Sequence, residues 1–348
     1  MFFLLFSCYG PQASDLLTEV YSLKLDGSGD GTLKLRVPDN VSSFIATAQS
    51  PERVSLESIV GPGSETVLRA SDWSEGPKNL SNGLLAYFTD ATVQWPIRGL
   101  DGEPSKGVWR LNWSSPKAAK ERIDVTVTTG VDQDWTDGYL DVAICYGDSI
   151  GSQLEVTNAI EEAFNYWEEL YDAQNIRLKR HSCSGDFSQD LSIFQPLEEL
   201  SSYRADFPDG TVILLVGEQI DMSLFQLGFS GSVPGILSAH PRGYVGLSWL
   251  SHAGSDGVFS SQEIQIFGET MGHEVGHYLG AFHPVELDFL ETDALSDTPT
   301  CSSTAECSEI FENHLMHASP VCTLFSCSPQ YDVSPQQQET FHRYTGVH

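Results

Sequence analysis

The sequence predicts an all-β sandwich followed by an α+β domain, whose mixed, twisted sheet is joined to a histidine-bearing helix. Three observations predict it. From about residue 20 to 130, apolar and polar residues alternate with a period of two, punctuated by Gly, Pro, Asn, Asp and Ser clusters. From Val156 to Tyr171 the apolar residues fall instead at helical spacing, with short apolar runs before and after that read as strands. A second helical stripe, from Phe267 to Phe282, carries three histidines and a glutamate within or just beyond it.

In the first domain the alternation is plainest at Leu33/Leu35/Val37, Trp109/Leu111/Trp113 and Ile123/Val125/Val127. About 110 residues built this way fit a β-sandwich. The run Asp26-Gly27-Ser28-Gly29-Asp30-Gly31 begins like a calcium loop. Its twelfth position is Val37, where such a loop needs a bidentate Glu, so it reads as a hairpin turn. Beyond Asp132-Gln133-Asp134-Trp135 the pattern turns to mixed α and β. Leu140–Tyr146 is a short apolar strand, and Val156, Ile160, Ala163, Phe164, Trp167, Leu170 and Tyr171 make an amphipathic helix. Ile176–Lys179, Thr211–Gly217 and Gly243–Leu250 are further strand candidates. The expected divisions are therefore 1–8 (a signal remnant), 9–20 (a linker), 21–131 (the β-domain, of open role) and 132–348 (the α+β domain).

The chain has 348 residues with a formal net charge of −30, from 48 acidic and 18 basic residues. Such a field repels nucleic acid and anionic membrane surfaces, which excludes both as main partners. No window approaches the roughly 20 apolar residues of a membrane span. The opening Met1-Phe2-Phe3-Leu4-Leu5-Phe6-Ser7-Cys8 resembles the end of a bacterial lipoprotein signal, which would make Cys8 a lipidation site and attach the chain to a membrane. Simple secretion is the alternative. Setting Cys8 aside leaves Cys145, Cys183, Cys301, Cys307, Cys322 and Cys327, an even set that reads as disulfides of an exported protein. Pairing is expected between Cys145 and Cys183 and within the 301–327 cluster. The connectivity of that cluster is open, and no Cys-x-x-Cys pair argues for a second metal site.

The chemistry concentrates in His273-Glu274-Val275-Gly276-His277-Tyr278-Leu279-Gly280-Ala281-Phe282-His283. Phe267, Met271, Val275, Tyr278, Leu279 and Phe282 form the expected buried stripe. His273 and His277 lie one turn apart on the other side, so both imidazoles reach one point. Gly280 is suited to a positive φ, which would end the helix and bring His283 back to that point. Three neutral imidazoles leave the fourth position of a zinc ion open, the arrangement of a catalytic site. Glu274 is placed to act as general base and acid rather than as a ligand.

This extended H-E-x-x-H-x-x-G-x-x-H resembles the signature of the metzincin zinc metallopeptidases. The resemblance implies a metzincin-type catalytic domain, a catalytic zinc ion and a protein or peptide substrate. It also implies a methionine turn beneath the metal, for which Met316, in Asn313-His314-Leu315-Met316, is the candidate. Asp297-Thr298-Pro299 before Cys301, the Asn-x-x-Met, and Ser334-Pro335-Gln336-Gln337 are similar to the pappalysin/cytophagalysin group. Pro284 departs towards the serralysins, and Ala318 stands where that group has a tyrosine. His314 and His317 read as turn residues. In metzincins the substrate adds along a sheet edge, for which Gly243–Trp249 is the candidate. Glu286, Asp288, Glu291, Asp293 and Asp297 make an oxygen-rich stretch suited to a structural calcium ion, or to an ordinary solvated loop. The expected function is a zinc-dependent endopeptidase. The rival is a catalytically inert surface protein, adhesive or carbohydrate-binding, whose β-domain does the work.

Overall fold

The computed structural model describes residues 16–69, 78–79, 89–147, 150–183, 187, 190–195, 197–223, 225–322 and 326–348. Cys8 and the segment expected to be a signal remnant lie outside them. The first part of the chain forms β1 (Leu16–Lys24), β2 (Asp30–Val37), β3 (Val41–Gln49), β4 (Ser55–Val60), β5 (Thr66–Arg69), β6 (Lys78–Asn79), β7 (Asp90–Trp95), β8 (Gly107–Ser114) and β9 (Arg122–Val131). Two four-stranded antiparallel sheets, ordered β1-β9-β3-β7 and β2-β8-β4-β5, enclose one apolar cluster. Leu33, Leu35, Trp109, Leu111 and Trp113 from one sheet meet Phe44, Val93, Val125 and Val127 from the other. The period of two is what sends these side chains inward.

Two expectations need correction here. Residues 16–20 are strand rather than linker, because β1 pairs along its whole length with β9, from Leu16 opposite Gly130 to Lys24 opposite Arg122. The Asp26–Gly31 turn is not a hairpin, since β1 and the following β2 belong to different sheets. It is a crossover held by the Asp26 carboxylate, which accepts from the Ser28 amide and hydroxyl and the Asp30 amide.

The second part runs β10 (Gly138–Tyr146), α1 (Leu154–Asp172), β11 (Ile176–Ser182), α2 (Leu200–Arg204), β12 (Val212–Gly217), β13 (Gly228–Ser230), β14 (Tyr244–Ser248), α3 (Trp249–Ala253), α4 (Ser261–Tyr278), β15 (Thr292–Asp293), α5 (Thr304–Ile310) and α6 (Pro335–Arg343). Its sheet has the order β11-β10-β12-β14-β13, parallel except for the last strand. The candidate substrate edge is thereby corrected. Residues 244–248 are an inner strand, buried throughout between β12 and β13, and Trp249 already begins α3. The outermost strand on that side is Gly228–Ser230.

Helices α1 and α4 pack on each other through Ala163, Trp167 and Tyr171 against Phe267, Met271 and Val275. The buried Tyr171 hydroxyl donates to the Gly272 carbonyl at 2.9 Å. Phe282 does not extend this stripe, because the helix ends at Tyr278 and Phe282 lines the cleft described below. The two parts meet along polar contacts from Gln94 Nε2 to the Arg343 carbonyl (3.0 Å) and from the Ser43 hydroxyl to Thr345 Oγ1 (3.0 Å). Disulfides join Cys145 to Cys183, Cys301 to Cys307 and Cys322 to Cys327. Three such bonds mark an exported protein that folds in an oxidising compartment. No helix among the described residues is long and apolar enough to cross a membrane.

One buried carboxylate ties the sheet to the end of the described chain. Asp141 on β10 bonds His181, and lies 3.3 Å from Lys179 Nζ and 3.2 Å from His348 Nε2. Burial alone would raise the Asp141 pKa, but hydrogen bonds from His348 and His181 and the charge of Lys179 outweigh it, and the net shift is downward. The hydrogen bond to Asp141 raises the His348 pKa, against its burial. A lowered carboxyl stabilises above its unfolded value and loses that as pH falls through its folded value. A raised imidazole stabilises below its unfolded value and loses that as pH rises through its folded value. The pair therefore stabilises most between about pH 4 and about pH 6.5. The melting temperature of His348→Ala should fall further below that of the parent at about pH 5 than at about pH 9. Equal differences at both pH values would show that the ion pair contributes nothing.

Candidate metal centre

Helix α4 begins in a capping box, with Ser260 accepting from the Glu263 amide and Glu263 accepting from the Ser260 amide. Its last residue is Tyr278, and the chain turns away at Gly280, whose φ is +100°. There the Gly280 amide donates to the His277 carbonyl and the Ala281 amide to the Gly276 carbonyl, the paired bonds of a glycine-terminated helix. A side chain at this φ would be strained, so the glycine sets the direction in which Ala281-Phe282-His283 leaves.

The turn brings the three histidines together. His273 Nε2 lies 3.1 Å from His283 Nε2 and 3.1 Å from His277 Nε2, and His277 Nε2 lies 3.0 Å from His283 Nε2. Each remaining ring nitrogen faces an acceptor. His273 Nδ1 meets the Leu315 carbonyl at 2.7 Å, His277 Nδ1 the Ala281 carbonyl at 2.8 Å, and His283 Nδ1 a Glu286 carboxylate oxygen at 2.7 Å. Those acceptors require hydrogen on Nδ1, which leaves every Nε2 of a neutral ring with a lone pair and no hydrogen. Three lone pairs facing one another at this distance repel unless a cation stands among them. The donor set thus fits a metal ion, and the triad could hold one. It is the only group of three or more His, Cys, Asp or Glu within ligand reach of one another among the described residues.

Burial, and then the neighbouring His283, push the His273 pKa down to about 3 and that of His277 well below its usual range, so both rings are neutral at neutral pH. Glu274 projects into the same cleft from between the two histidines. Burial raises its pKa to about 8, opposed by the Ser230 amide, which donates to the carboxylate from β13. The cleft has a volume of about 550 Å³. Its lining includes Gly228–Ser230 and His317–Pro320 as well as the triad.

No family model and no curated protein sequence matches the chain. Among solved structures it is similar to metalloproteinase-II from Bacteroides fragilis, at 13% identity over 53% of this chain and 61% of that one, with a TM-score of 0.26. It is also similar to the catalytic unit of a GH87 alpha-1,3-glucanase from Streptomyces thermodiastaticus, at 10% identity over 60% of this chain and 46% of that one, with a TM-score of 0.22. The chain thus spans less than two thirds of either protein. Likenesses of this size assign neither fold nor chemistry, and the centre is read from its own geometry.

Met316 is fully buried against α4. A Cβ added to Gly276 would lie 2.5 Å from Met316 Sδ, so the two segments are in direct contact beneath the triad. The Leu315 carbonyl that orients His273 comes from the residue before it. The acidic stretch does not gather as a calcium site would require. Glu286 holds His283, and Asp288 accepts from the Leu290 amide. Asp293 accepts from Thr298 and the Leu295 amide, and Asp297 caps α6 through Ser334 and the Gln336 amide. His314 acts in the turn, as expected, its Nδ1 accepting from the Met316 amide at 3.2 Å.

His317 departs from the reading as a mere turn residue, because its ring lies in the cleft wall. Glu269, one turn before His273, is another group that sequence reasoning passed over. It is buried, lines the cleft and accepts from Gln265 Nε2 at 2.7 Å. Its spacing of four from His273 was the available signal.

Proposed function

We propose that the chain is an exported zinc-dependent endopeptidase of the metzincin type. The observation that carries this reading is the convergence of three Nε2 atoms whose Nδ1 partners are all committed, with the Glu274 carboxylate beside them in an open cleft. Three imidazoles with room for further ligands suit zinc in its catalytic rather than structural form. Zinc held there supplies a Lewis acid that acidifies water and polarises the scissile carbonyl.

The chain's own residues do the rest. An extended peptide adds beside Gly228–Ser230, the outermost strand at the cleft, by main-chain pairing. Glu274 takes a proton from water as the water oxygen adds to the carbonyl carbon. It then delivers that proton to the amide nitrogen as the C–N bond breaks, and the second water proton, left on the new carboxylic acid, passes to the amine to give a carboxylate and an ammonium group. Burial pushes the Glu274 pKa up and the charge of a bound zinc ion would pull it back down, opposing influences that suit a group that must both accept and return a proton. The buried Met316 and the Leu315 carbonyl support the triad from below.

Cleavage-site profiling on a peptide library tests the reading. Cleavage should vanish on chelation and return with about one zinc per chain. Cleavage by metal-free protein, or none by zinc-loaded protein, would overturn it. The triad predicts a second result, that His277→Ala binds zinc at least about 100-fold more weakly in a competition titration with a chromophoric chelator, since two nitrogens remain of three.

A further inference from the structure

Hydrolysis needs more than a base. As the water oxygen adds, negative charge develops on the former carbonyl oxygen, and a buried hydrogen-bond donor beside it lowers the barrier. Most of the buried or half-buried polar side chains lining the cleft already have partners. The Thr270 hydroxyl donates to the Ile266 carbonyl at 2.8 Å, Gln330 Nε2 to the Ser319 carbonyl at 3.2 Å, and the Ser230 hydroxyl to the Ser232 carbonyl at 2.7 Å.

His317 differs. It is only 7% exposed and lines the cleft, yet neither of its ring nitrogens has a hydrogen-bond partner among the described residues. It is near enough to the triad to feel the charge of His283 and to act on His273. Its ring is held by stacking and by the turn of its backbone. The ring stacks on Phe311, with centroids 5.6 Å apart and planes at 26°, and its amide donates to the His314 carbonyl at 3.1 Å. The neighbouring Ala318 offers no side-chain donor. The His317 nitrogens are open to the cleft rather than sealed from solvent, so a substrate group can take the place of water there.

We propose that His317 is a catalytic residue that donates a hydrogen bond to the substrate's carbonyl oxygen, tightening as that oxygen becomes an oxyanion. This rests on the endopeptidase reading. The triad keeps its own donors turned outward, to Leu315, Ala281 and Glu286, so none of its N–H groups reaches the substrate. Glu274 takes and returns the proton, and His317 carries the opposite duty of steadying charge without exchanging one.

The test uses His317→Phe, which keeps the stack on Phe311 and removes the donor, and His317→Gln, which restores an N–H. His317→Phe should lower kcat by about 100-fold with little change in KM, the cost of one oxyanion donor. Zinc content and melting temperature should match the parent, and His317→Gln should recover part of the loss. Independently of turnover, a phosphinic peptide, whose tetrahedral anionic centre imitates the charged oxygen, should bind His317→Phe about 10- to 100-fold more weakly. The product peptides should bind the two proteins alike.

Unchanged kcat and phosphinic-peptide affinity in His317→Phe would overturn the proposal while leaving the endopeptidase reading intact. So would a loss confined to KM, or one accompanied by loss of zinc or of melting temperature. A zinc-loaded parent that cleaves no peptide would remove the endopeptidase reading, and this proposal with it.

Discussion

Glu274→Gln is expected to lower kcat by about 10²- to 10⁴-fold, the range that one general acid–base contributes. Zinc stoichiometry should stay at that of the parent, since the group that could hold the ion consists of three histidines and no carboxylate. The amide has nearly the shape of the carboxylate, so its oxygen still accepts from the Ser230 amide. Folding stability should be equal or slightly higher, because Glu274 is buried and ionising it there is unfavourable, as its raised pKa records. Loss of activity with metal and stability retained separates a proton carrier from a structural residue. Retained turnover would remove Glu274 from the chemistry, and lost zinc would make it a ligand.

That Glu274 could be singled out from sequence follows from how local its information is. His273, Glu274 and His277 sit within two helical turns, and the positions of their side chains follow from the pitch alone. Gly280 adds one backbone conformation, and His283 follows three residues later. The helix read at Val156–Tyr171 is likewise a matter of local periodicity, and it is observed as Leu154–Asp172.

What depends on distant partners was not legible. The outermost strand Gly228–Phe229–Ser230 is three residues long, too short for a recognisable alternation, and it exists only because β14 offers it an antiparallel partner. The glycines of Gly243–Trp249 suggested an approachable backbone, yet that strand's approach is to its own sheet. Two of the three acceptors that orient the histidines are backbone carbonyls, of Leu315 and Ala281, and a carbonyl leaves no trace in the identity of its residue. The third, Glu286, was visible as one acid among five. Only the fold shows that it faces His283 while Asp293 and Asp297 turn to Thr298 and Ser334. His317 was seen and passed over for the same reason, since stacking on Phe311 and opening into the cleft are facts of tertiary packing.

The contact between Gly276 and Met316 yields the second large effect. In Gly276→Ala the new methyl group would start 2.5 Å from Met316 Sδ, 3.2 Å from Met316 Cε and 3.2 Å from Phe341 Cζ. Met316 and Phe341 are fully buried, so neither has open space to move into. Alanine's better helix propensity, worth up to about 1 kcal/mol over glycine, works against this penalty. Overpacking of a tight core costs about 1–3 kcal/mol, so the clash should win and the protein should be destabilised in urea with its disulfides intact. Zinc affinity should fall as well, because moving Met316 disturbs the adjacent Leu315 carbonyl that orients His273. A purely local packing defect would leave zinc binding untouched, so the two readouts together decide whether this turn is the floor of the metal centre. Met316→Ala alone should cost about 2–5 kcal/mol through the cavity it leaves. In the double variant the alanine methyl at 276 enters part of that space, so the combined loss should be smaller than the sum of the two single losses. Strict additivity would mean that Met316 already yields to the methyl group in Gly276→Ala, and that the close approach at Gly276 is not what holds the turn beneath the triad.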